Sequence, residues 1–465
     1  MSTPTSTLGL LERYDRPGPR YTSYPTAVEF HNGVKDEVYV QHLARLNAET
    51  DRPISFYLHL PFCQERCAFC GCNVVITPHL DVAARYLDAV EQEIDLIASH
   101  LPDRRSIGQM HWGGGTPTYY TPQQLSKIFE RISRHFTFTT DAEIGVEVDP
   151  RVTTHEHLDA LRSLGFNRVS MGVQDFDPRV QEAINRIQSF ELTRDLILHA
   201  RAIGYGSINV DLIYGLPHQS VESFTHTLSQ VLDLRPDRVA AYSFAFVPWM
   251  SAHMKDIDRA ALPSVETKLA LLAATVDAFL GAGYRQIGMD HFALPTDELG
   301  RAVDTHTLRR NFMGYTVTDT TDMVAAGVSA IGDVQGAFVQ NTKKLTEYYS
   351  ALAAGRFPIE RGYERDRDDD IRRYVITELM CNFRLEKAVV DQRFSIDFDA
   401  YFATELAALT AAEGSPQADG LVTVSADRIE VQPVGRMFVR NVCMVFDKYL
   451  PLRTGGPKPV FSRTV

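Results

Sequence analysis

The fold of this chain is decided by one stretch, Phe56-Tyr57-Leu58-His59-Leu60-Pro61-Phe62-Cys63-Gln64-Glu65-Arg66-Cys67-Ala68-Phe69-Cys70-Gly71-Cys72. It starts as a short apolar β-strand and runs directly into a loop with the cysteine spacing C-x3-C-x2-C. Three thiolates so spaced, Cys63, Cys67 and Cys70, can hold three irons of a [4Fe–4S] cubane and leave the fourth iron open. An open iron can bind S-adenosylmethionine (SAM), and one electron from the cluster then cleaves the sulfonium to a 5′-deoxyadenosyl radical.

The competing interpretation of these cysteines is a structural zinc site. Zinc usually takes four ligands from two separated pairs, and the sequence offers no second pair. Cys72 could supply a fourth thiolate, but the segment joining it to Cys70 is too short for comfortable tetrahedral geometry. Cys381 and Cys443 lie in apolar helical patterns, which are typical of buried structural thiols. The spacing therefore favours the cluster.

Length and composition set the limits for the rest of the chain. Its 465 residues, 44% of them hydrophobic, suffice for two or three domains with a large core. The net charge of −12 argues against nucleic acid or an anionic membrane as the main partner. The first eleven residues do not resemble a signal peptide, and there is no run of about 18 apolar residues that would predict a membrane span. We therefore expect a cytoplasmic protein.

Short apolar segments alternate with amphipathic helices across the first three-quarters of the chain. Helices are predicted over residues 81–101 and from Thr121, a good N-cap with Pro122 after it. Strands are predicted at residues 55–60, 109–112, 144–148, 168–173, 207–213, 238–246 and 285–289. Repeated βα units of this kind predict a parallel sheet that curls into a full or partial TIM-type barrel. Functional residues should then lie at the C-terminal ends of the strands.

Two regions, one at each end of the chain, do not follow this alternation of strands and helices. The sequence therefore predicts three parts. Residues 1–35 form an irregular, aromatic-rich N-terminal arm, residues 36–360 the catalytic barrel, and residues 361–465 a mainly helical C-terminal domain. A hairpin predicted over residues 421–431 gives that last domain a winged-helix character. Because no basic recognition helix stands out, we expect it to cover a substrate rather than to bind DNA.

The cluster loop, which ends in Cys-x-Cys at Cys72, resembles that of the oxygen-independent coproporphyrinogen III oxidase family of radical SAM enzymes. The related haem-chaperone branch has Phe at that last position and lacks the arm motif, which is present here over residues 19–26. The resemblance continues through residues 112–118, 147–151, 171–176, 211–217, 288–292 and 381–385 and ends at residues 461–463. It therefore covers nearly the whole chain.

The resemblance implies a set of cofactor-binding residues. The first SAM would lie against the turn at Gly114, with Glu147, Tyr57 and Ile331 around it, and Phe312 is the remaining residue implied at the catalytic centre. The glycine turn suits this role because no Cβ keeps the ligand away from the backbone. The family is unusual in binding a second SAM, and its contacts correspond here to Phe69, Gly115, Thr116, Gln174, Arg186, Asp211 and Ala245. We therefore expect one [4Fe–4S] cluster and two SAM molecules per chain.

The same resemblance implies the reaction. Coproporphyrinogen III would lose carbon dioxide from two of its four propionates, which become the vinyl groups of protoporphyrinogen IX, a step in haem biosynthesis. It also implies an electron donor of the flavodoxin or ferredoxin type and a monomeric enzyme. The propionates require cations, and the candidates are Arg20, Arg151, Arg309, Arg310 and Arg440.

Two departures from the family pattern bear on the substrate. Met313 replaces a glutamine, and Phe246 stands in a segment where a histidine is usual, so polar groups are lost near the expected site. Relatives with the same double-SAM site transfer methyl groups or form cyclopropanes, and other relatives bind haem without catalysis. The arm motif and Cys72 argue against the haem-binding alternative, whereas product analysis would separate the enzymes.

Overall fold

The structure is a computed structural model that describes residues 7–318, 322–453 and 461–464. The expectation about a signal peptide concerns residues 1–11, of which residues 1–6 lie outside these described residues. No helix within them is long and apolar enough to cross a bilayer.

A twelve-stranded sheet forms the centre of the molecule. Its strands are β1 (Ile54–Leu60), β2 (Ser106–Gly114), β3 (Thr137–Val148), β4 (Arg168–Gln174), β5 (Ser207–Tyr214), β6 (Arg238–Ser243), β7 (Arg285–Gln286), β8 (His291–Ala293), β9 (Met323–Ala326), β10 (Ile331–Val334), β11 (Ala337–Asn341) and β12 (Ile359–Glu364). The strand order is β12-β11-β10-β9-β1-β2-β3-β4-β5-β6-β8-β7. Strands β1 to β6 are parallel and adjacent in chain order, and β9 pairs in parallel with the other side of β1.

The two edge strands of this sheet, β12 and β7, do not pair with each other in the described part of the chain, so the barrel stays open. The expected architecture, a partial TIM-type barrel, is therefore confirmed. The strand predicted over residues 285–289 was too long, because only Arg285–Gln286 is extended before the backbone bends back to pair antiparallel with β8. Gly288 lies in that bend under the ring of Tyr315.

Helices cover the outside of the parallel strands. They are Asp36–Ala48, Leu80–His100, Pro122–His135, His155–Ser163, Pro178–Ala183, Phe190–Ala202, Val221–Leu234, Val265–Gly281, Glu298–Thr305 and Leu345–Ala353, with short 3-10 turns at Pro117–Tyr119, Ala252–Asp256 and Arg259–Ala261. The helix Thr7–Tyr14 in the arm packs instead against Leu421 and Phe438. The predicted start at Thr121 is confirmed, since this residue forms a capping box with Gln124. Two small sheets add Phe62–Cys63 with Val75–Ile76, and Arg309–Asn311 with Gly314–Thr316.

The C-terminal region is built from helices and a small sheet, as predicted. The helices are Arg367–Asn382, Lys387–Phe394, Phe398–Tyr401, Ala403–Thr410, Val439–Met444 and Leu450–Arg453, with a 3-10 turn at Pro433–Phe438. The predicted hairpin is present as Val422–Val424 with Arg428–Val431, and Arg384–Glu386 adds a third strand that was not predicted.

The N-terminal arm packs into the C-terminal region. Tyr21 and Tyr24 are buried in the same hydrophobic cluster as Leu379 and Cys443. The Tyr21 hydroxyl donates a hydrogen bond to Asp447 at 2.9 Å. Cys381 and Cys443 are both buried, as predicted for structural thiols. The arm and the C-terminal region thus share one core.

Candidate radical SAM site

The cysteine loop is held closed at its base. Directly after β1, Phe62–Cys63 pairs with Val75–Ile76, so both ends of the loop meet beside the strand. Cys67 is buried, and its sulfur accepts hydrogen bonds from Arg151 Nη2 at 3.4 Å and Arg186 Nη1 at 3.6 Å. Two guanidinium groups on one sulfur suit a thiolate that belongs to an anionic cluster.

A glycine turn at the end of β2 lies against the start of this loop. The Gly115 amide donates to the Leu60 carbonyl at 2.9 Å, and a Cβ on Gly115 would come within 2.5 Å of the Pro61 carbonyl. Gly114 has a φ of 114°, a conformation that side chains rarely adopt. Only glycines therefore allow this close approach, and the turn offers bare backbone to a ligand.

Glu147 reaches this turn from the end of β3. Its carboxylate accepts hydrogen bonds from the Gly114 amide and from His111 Nε2, both at 3.2 Å. Burial alone would raise the pKa of Glu147, but the hydrogen bond and the charge of His111 outweigh it, so the pKa lies below its usual value. The group is thus an anion placed beside bare backbone, which suits an ammonium ligand.

Asp149 is a site residue that sequence reasoning missed. It accepts from Arg186 Nη1 at 2.9 Å and from Arg151 Nη2 at 2.7 Å, so it orients the two guanidinium groups that face Cys67. Arg186 also donates to the Gly172 carbonyl at 2.7 Å. A signal was available, because residues two apart at the end of a strand point to the same side, as Glu147 and Asp149 do.

Asp211 on β5 faces the same space from the far wall. It accepts hydrogen bonds from Ser170 Oγ at 3.1 Å and from Asn209 Nδ2 at 2.8 Å. Burial, reinforced by the nearby charge of Glu147, raises the pKa of Asp211 to about 6. The group therefore gains from a ligand that donates hydrogen bonds to it, as a pair of ribose hydroxyls would.

The structure brings most of the expected cofactor-binding residues to one cavity. Its walls include Cys63, Cys67, Phe69, Cys70, Gly114, Gly115, Thr116, Glu147, Gln174, Arg186 and Asp211. Gln174 has a positive φ of 68° at the end of β4, which turns the chain away from the sheet at the rim. The cavity lies at the C-terminal ends of the parallel strands, where the barrel argument predicts functional residues.

Four of the expected residues do not line this cavity. Tyr57 lies behind it, with its ring stacked on His111 at a centroid distance of 6.3 Å. Ala245 lines a neighbouring cavity after β6, and Ile331 begins β10. Phe312 lies in the hairpin turn after Asn311, and its ring meets the edge of Phe338.

These residues fit the groups that the cysteine spacing implies. The loop supplies four thiols to the cavity, those of Cys63, Cys67, Cys70 and Cys72. The glycine turn exposes its backbone because a Cβ on Gly115 would clash with the loop, and Glu147 adds an anion next to the turn. The residues that would hold the cluster are Cys63, Cys67 and Cys70, and those nearest to a SAM on the open iron are Gly114 and Glu147.

The arginines considered for propionate binding turn out to differ in their surroundings. Arg440 is buried, and its guanidinium donates to the carbonyls of Gly18, Pro19, Arg463 and Thr464. Arg309 pairs with Glu378 at 3.1 Å, and Arg310 donates to the Arg20 carbonyl at 2.9 Å. Arg151 lies at the cluster loop. Arg20 borders two open cavities, although it is paired with Asp290.

The two departures from the family pattern lie in different places. Met313 lines the interior of the barrel below the cofactor cavity, beside Tyr315 and His291. Phe246 lines the cavity that contains Ala245, and the Arg259 guanidinium lies over its ring at 5.6 Å. Neither residue touches the cysteine loop directly in a hydrogen bond or ring contact among the described residues.

Comparison with known proteins agrees with this geometry. Residues 57–231 match the model of the radical SAM superfamily, and residues 366–438 match that of the HemN C-terminal domain. The barrel and its cysteine loop place the chain in the radical SAM superfamily.

The particular family follows from full-length relatives. The oxygen-independent coproporphyrinogen III oxidase of Salmonella typhimurium is 46% identical over 459 residues, 98% of each chain, and that of Escherichia coli is 45% identical over the same length. The solved structure of the Escherichia coli enzyme HemN superimposes with a TM-score of 0.89 at 44% identity, over 95% of this chain and 98% of the other. The chain belongs to the oxygen-independent coproporphyrinogen III oxidase family, whose radical SAM chemistry implies a [4Fe–4S] cluster and SAM.

Proposed function

We propose that this protein converts coproporphyrinogen III to protoporphyrinogen IX in haem biosynthesis by oxidative decarboxylation of two propionate side chains without oxygen. The observation that carries the proposal is the joint arrangement of the three-thiol loop, the glycine turn and Glu147 in one cavity, in a chain that matches these oxidases from end to end. Methyl transfer or cyclopropanation gains no specific support from any contact described here.

In this proposal Cys63, Cys67 and Cys70 hold the cluster, and Glu147 with Gly114 holds the amino acid end of SAM. When bound, the cluster and SAM would supply a 5′-deoxyadenosyl radical for hydrogen abstraction at the propionate β-carbon, and the loss of carbon dioxide would pass one electron to an acceptor. The protein's own task is to keep the charges in place: Asp149 orients Arg151 and Arg186 toward the Cys67 sulfur. His111 keeps Glu147 anionic by hydrogen bonding to its carboxylate.

A carbon radical attacks almost any nearby C–H bond, so the site must exclude water and stray groups. We infer that the arm and the C-terminal domain close the open barrel over the substrate. Arg440 supports this role, since one buried guanidinium joins the backbone of the arm at Gly18 and Pro19 to that of the C-terminal segment. The proposed parts are the arm (1–35), the barrel (36–360) and the C-terminal domain (361–465).

The second SAM is part of the proposal. It is supported by six of the seven expected contacts, which line the cofactor cavity: Phe69, Gly115, Thr116, Gln174, Arg186 and Asp211. Ala245 lines a separate cavity, and the two cavities adjoin because Phe69 belongs to the same hydrophobic cluster as Phe244 and Phe246. Equilibrium dialysis of the holoprotein should give two SAM per chain. A single SAM per chain would contradict this part, and it would leave the cluster assignment untouched.

Three further predictions from the sequence complete the proposal: a flavodoxin or ferredoxin as electron donor, a monomeric state and a cytoplasmic location. The function itself is tested by one anaerobic assay with the reconstituted protein, coproporphyrinogen III, SAM and dithionite. We expect protoporphyrinogen IX, carbon dioxide and 5′-deoxyadenosine. Cleavage of SAM with a methylated product, or no cleavage of SAM at all, would contradict the proposal.

A further inference from the structure

A second cavity opens at the C-terminal ends of β5 and β6, next to the cofactor cavity. Its walls are largely apolar and aromatic, with Phe244, Phe246, Trp249 and Leu262 among them. It also contains Ala245, the residue for which the family resemblance implies a contact with SAM. A ligand in this cavity would therefore lie beside the second SAM that the resemblance implies.

One cation in this cavity has an unusual setting. Lys268, on the helix Val265–Gly281, is half-buried, and its stem crosses Gly215, where a Cβ would lie within 3.1 Å of Lys268 Cε. Its amino group donates to the Phe244 carbonyl at 3.2 Å. Among the described residues no salt bridge to that amino group is found, and Asp15, whose charge favours the protonated form of Lys268, is paired with Arg463.

The charges around Lys268 affect how readily its amino group stays protonated. Arg20 is paired with Asp290 and Arg463 with Asp15, and both arginines line the cavity. Burial lowers the pKa of Lys268 to about 8; the charge of Asp15 opposes this change, whereas those of Arg463, Arg440 and Arg20 add to it. A half-buried cation that has no ion-pair partner among the described residues is costly. It also gives the cavity a local excess of positive charge, although the net charge of the protein is −12.

We propose that this cavity binds one propionate arm of the tetrapyrrole substrate, with Lys268 Nζ as the ion-pair partner of its carboxylate. This inference rests on the proposed function. The apolar walls suit the pyrrole ring and the methylene groups of the arm. A single cation that has no carboxylate partner in the part of the chain that the structure describes matches a monoanionic group. The carboxylate of a SAM has the same chemistry, so the experiment must separate the two.

The test is a fluorescence titration of the anaerobic, cluster-loaded protein with coproporphyrin III, the stable oxidised form of the substrate, in the presence of SAM and without reductant. Lys268→Met keeps the apolar stem over Gly215 and removes the charge, whereas Lys268→Arg keeps the charge. Lys127→Met is the matched control, because Lys127 lies on an outer helix, where it pairs with Asp88 and Glu91. Thermal melting and iron content show that each variant is folded and loaded.

We expect Lys268→Met to weaken porphyrin binding about 10- to 100-fold, the usual effect of losing a charge-assisted hydrogen bond, and to raise the KM for coproporphyrinogen III similarly. Lys268→Arg should retain most of the affinity, and SAM binding should not change in either variant. Equal porphyrin affinity in Lys268→Met and Lys127→Met would overturn the inference. Weakened SAM binding with unchanged porphyrin binding would also overturn it, because the carboxylate would then be that of SAM.

Failure of this inference is distinguishable from failure of the proposed function. If the unmodified protein forms protoporphyrinogen IX while Lys268→Met binds porphyrin normally, only the assignment of Lys268 is wrong. If the unmodified protein forms no vinyl product, the function is wrong, and an unchanged porphyrin affinity in Lys268→Met would reject the carboxylate site independently.

Discussion

Replacing Asp211 with asparagine should stabilise the protein and at the same time weaken its binding of SAM. The fold holds this carboxylate partly buried and near Glu147, and these surroundings raise the pKa of Asp211 from 3.8 to about 6. An acid whose pKa is raised on folding favours the protonated form, so its cost is absent below pH 3.8 and complete above pH 6. That cost is about 3 kcal/mol at pH 8 and about half as much at pH 5, as upper values for a group that still faces a cavity.

Asparagine has the shape of the protonated acid and carries no charge to bury. The entropy of unfolding of 465 residues is about 1 kcal/mol/K, so we expect Asp211→Asn to raise the melting temperature of the cluster-free protein by up to about 3 °C at pH 8, and by about half of that at pH 5. The measurement is differential scanning fluorimetry of both proteins at the two pH values, with SAM stoichiometry determined on the holoprotein. A variant that melts lower than the unmodified protein at pH 8 would refute the reasoning, because Asp211 would then be stabilising as an anion.

Three further predictions concern the cluster, the glycine turn and the arm. Cys63→Ser should lose the brown cluster absorbance, whereas Cys72→Ser should still assemble a cluster; loss in the Cys72 variant alone would overturn the ligand assignment. Gly115→Ala should abolish SAM cleavage, since its Cβ would lie 2.5 Å from a backbone carbonyl, while Gly71→Ala, with nothing within 4 Å, should stay active. Equal SAM cleavage by these two variants would show that the close approach has no role. Removing residues 1–30 should leave cluster absorbance intact, lower the melting temperature by exposing the core around Tyr21 and Tyr24, and raise the ratio of 5′-deoxyadenosine to protoporphyrinogen. An unchanged ratio and rate would show that the arm does not cover the site.

The local patterns were readable from the sequence because each depends on near neighbours. A strand followed at once by three spaced cysteines is a short-range signal, and so is the cap at Thr121. The strands of the parallel sheet were located because continuous apolar runs mark strands that are buried on both faces. Their bounds were less accurate: β2 begins at Ser106 instead of residue 109, β3 at Thr137 instead of residue 144, and β6 ends at Ser243 instead of residue 246. The four strands in the segment 323–364 were not predicted. They are four to six residues long, and three of them are buried along almost their whole length, so they show no alternation of apolar and polar residues.

The pairing of side chains was much less readable. Asp149 and Arg186 are 37 residues apart, and nothing in the intervening sequence indicates that they meet at 2.9 Å over a cysteine. Arg440 could be interpreted as a propionate ligand from its type alone, yet the fold uses its guanidinium to hold four backbone carbonyls. A guanidinium satisfied in this way is indistinguishable in sequence from one that is free to bind a ligand.

The sequence by itself determined the chemistry that this protein can carry, because the cysteine spacing, the glycine turn and the order of βα units are local in the chain. Only the tertiary structure decided which charged side chains have a partner within the protein and which have none in the described residues. Arg20, Arg440 and Lys268 are all cations near one barrel mouth, but only Lys268 has neither a carboxylate nor a set of carbonyls around it in the described residues. The reason is physical: the electrostatic cost of a buried charge depends on groups brought together by folding, and their separation along the chain says nothing about their distance in space.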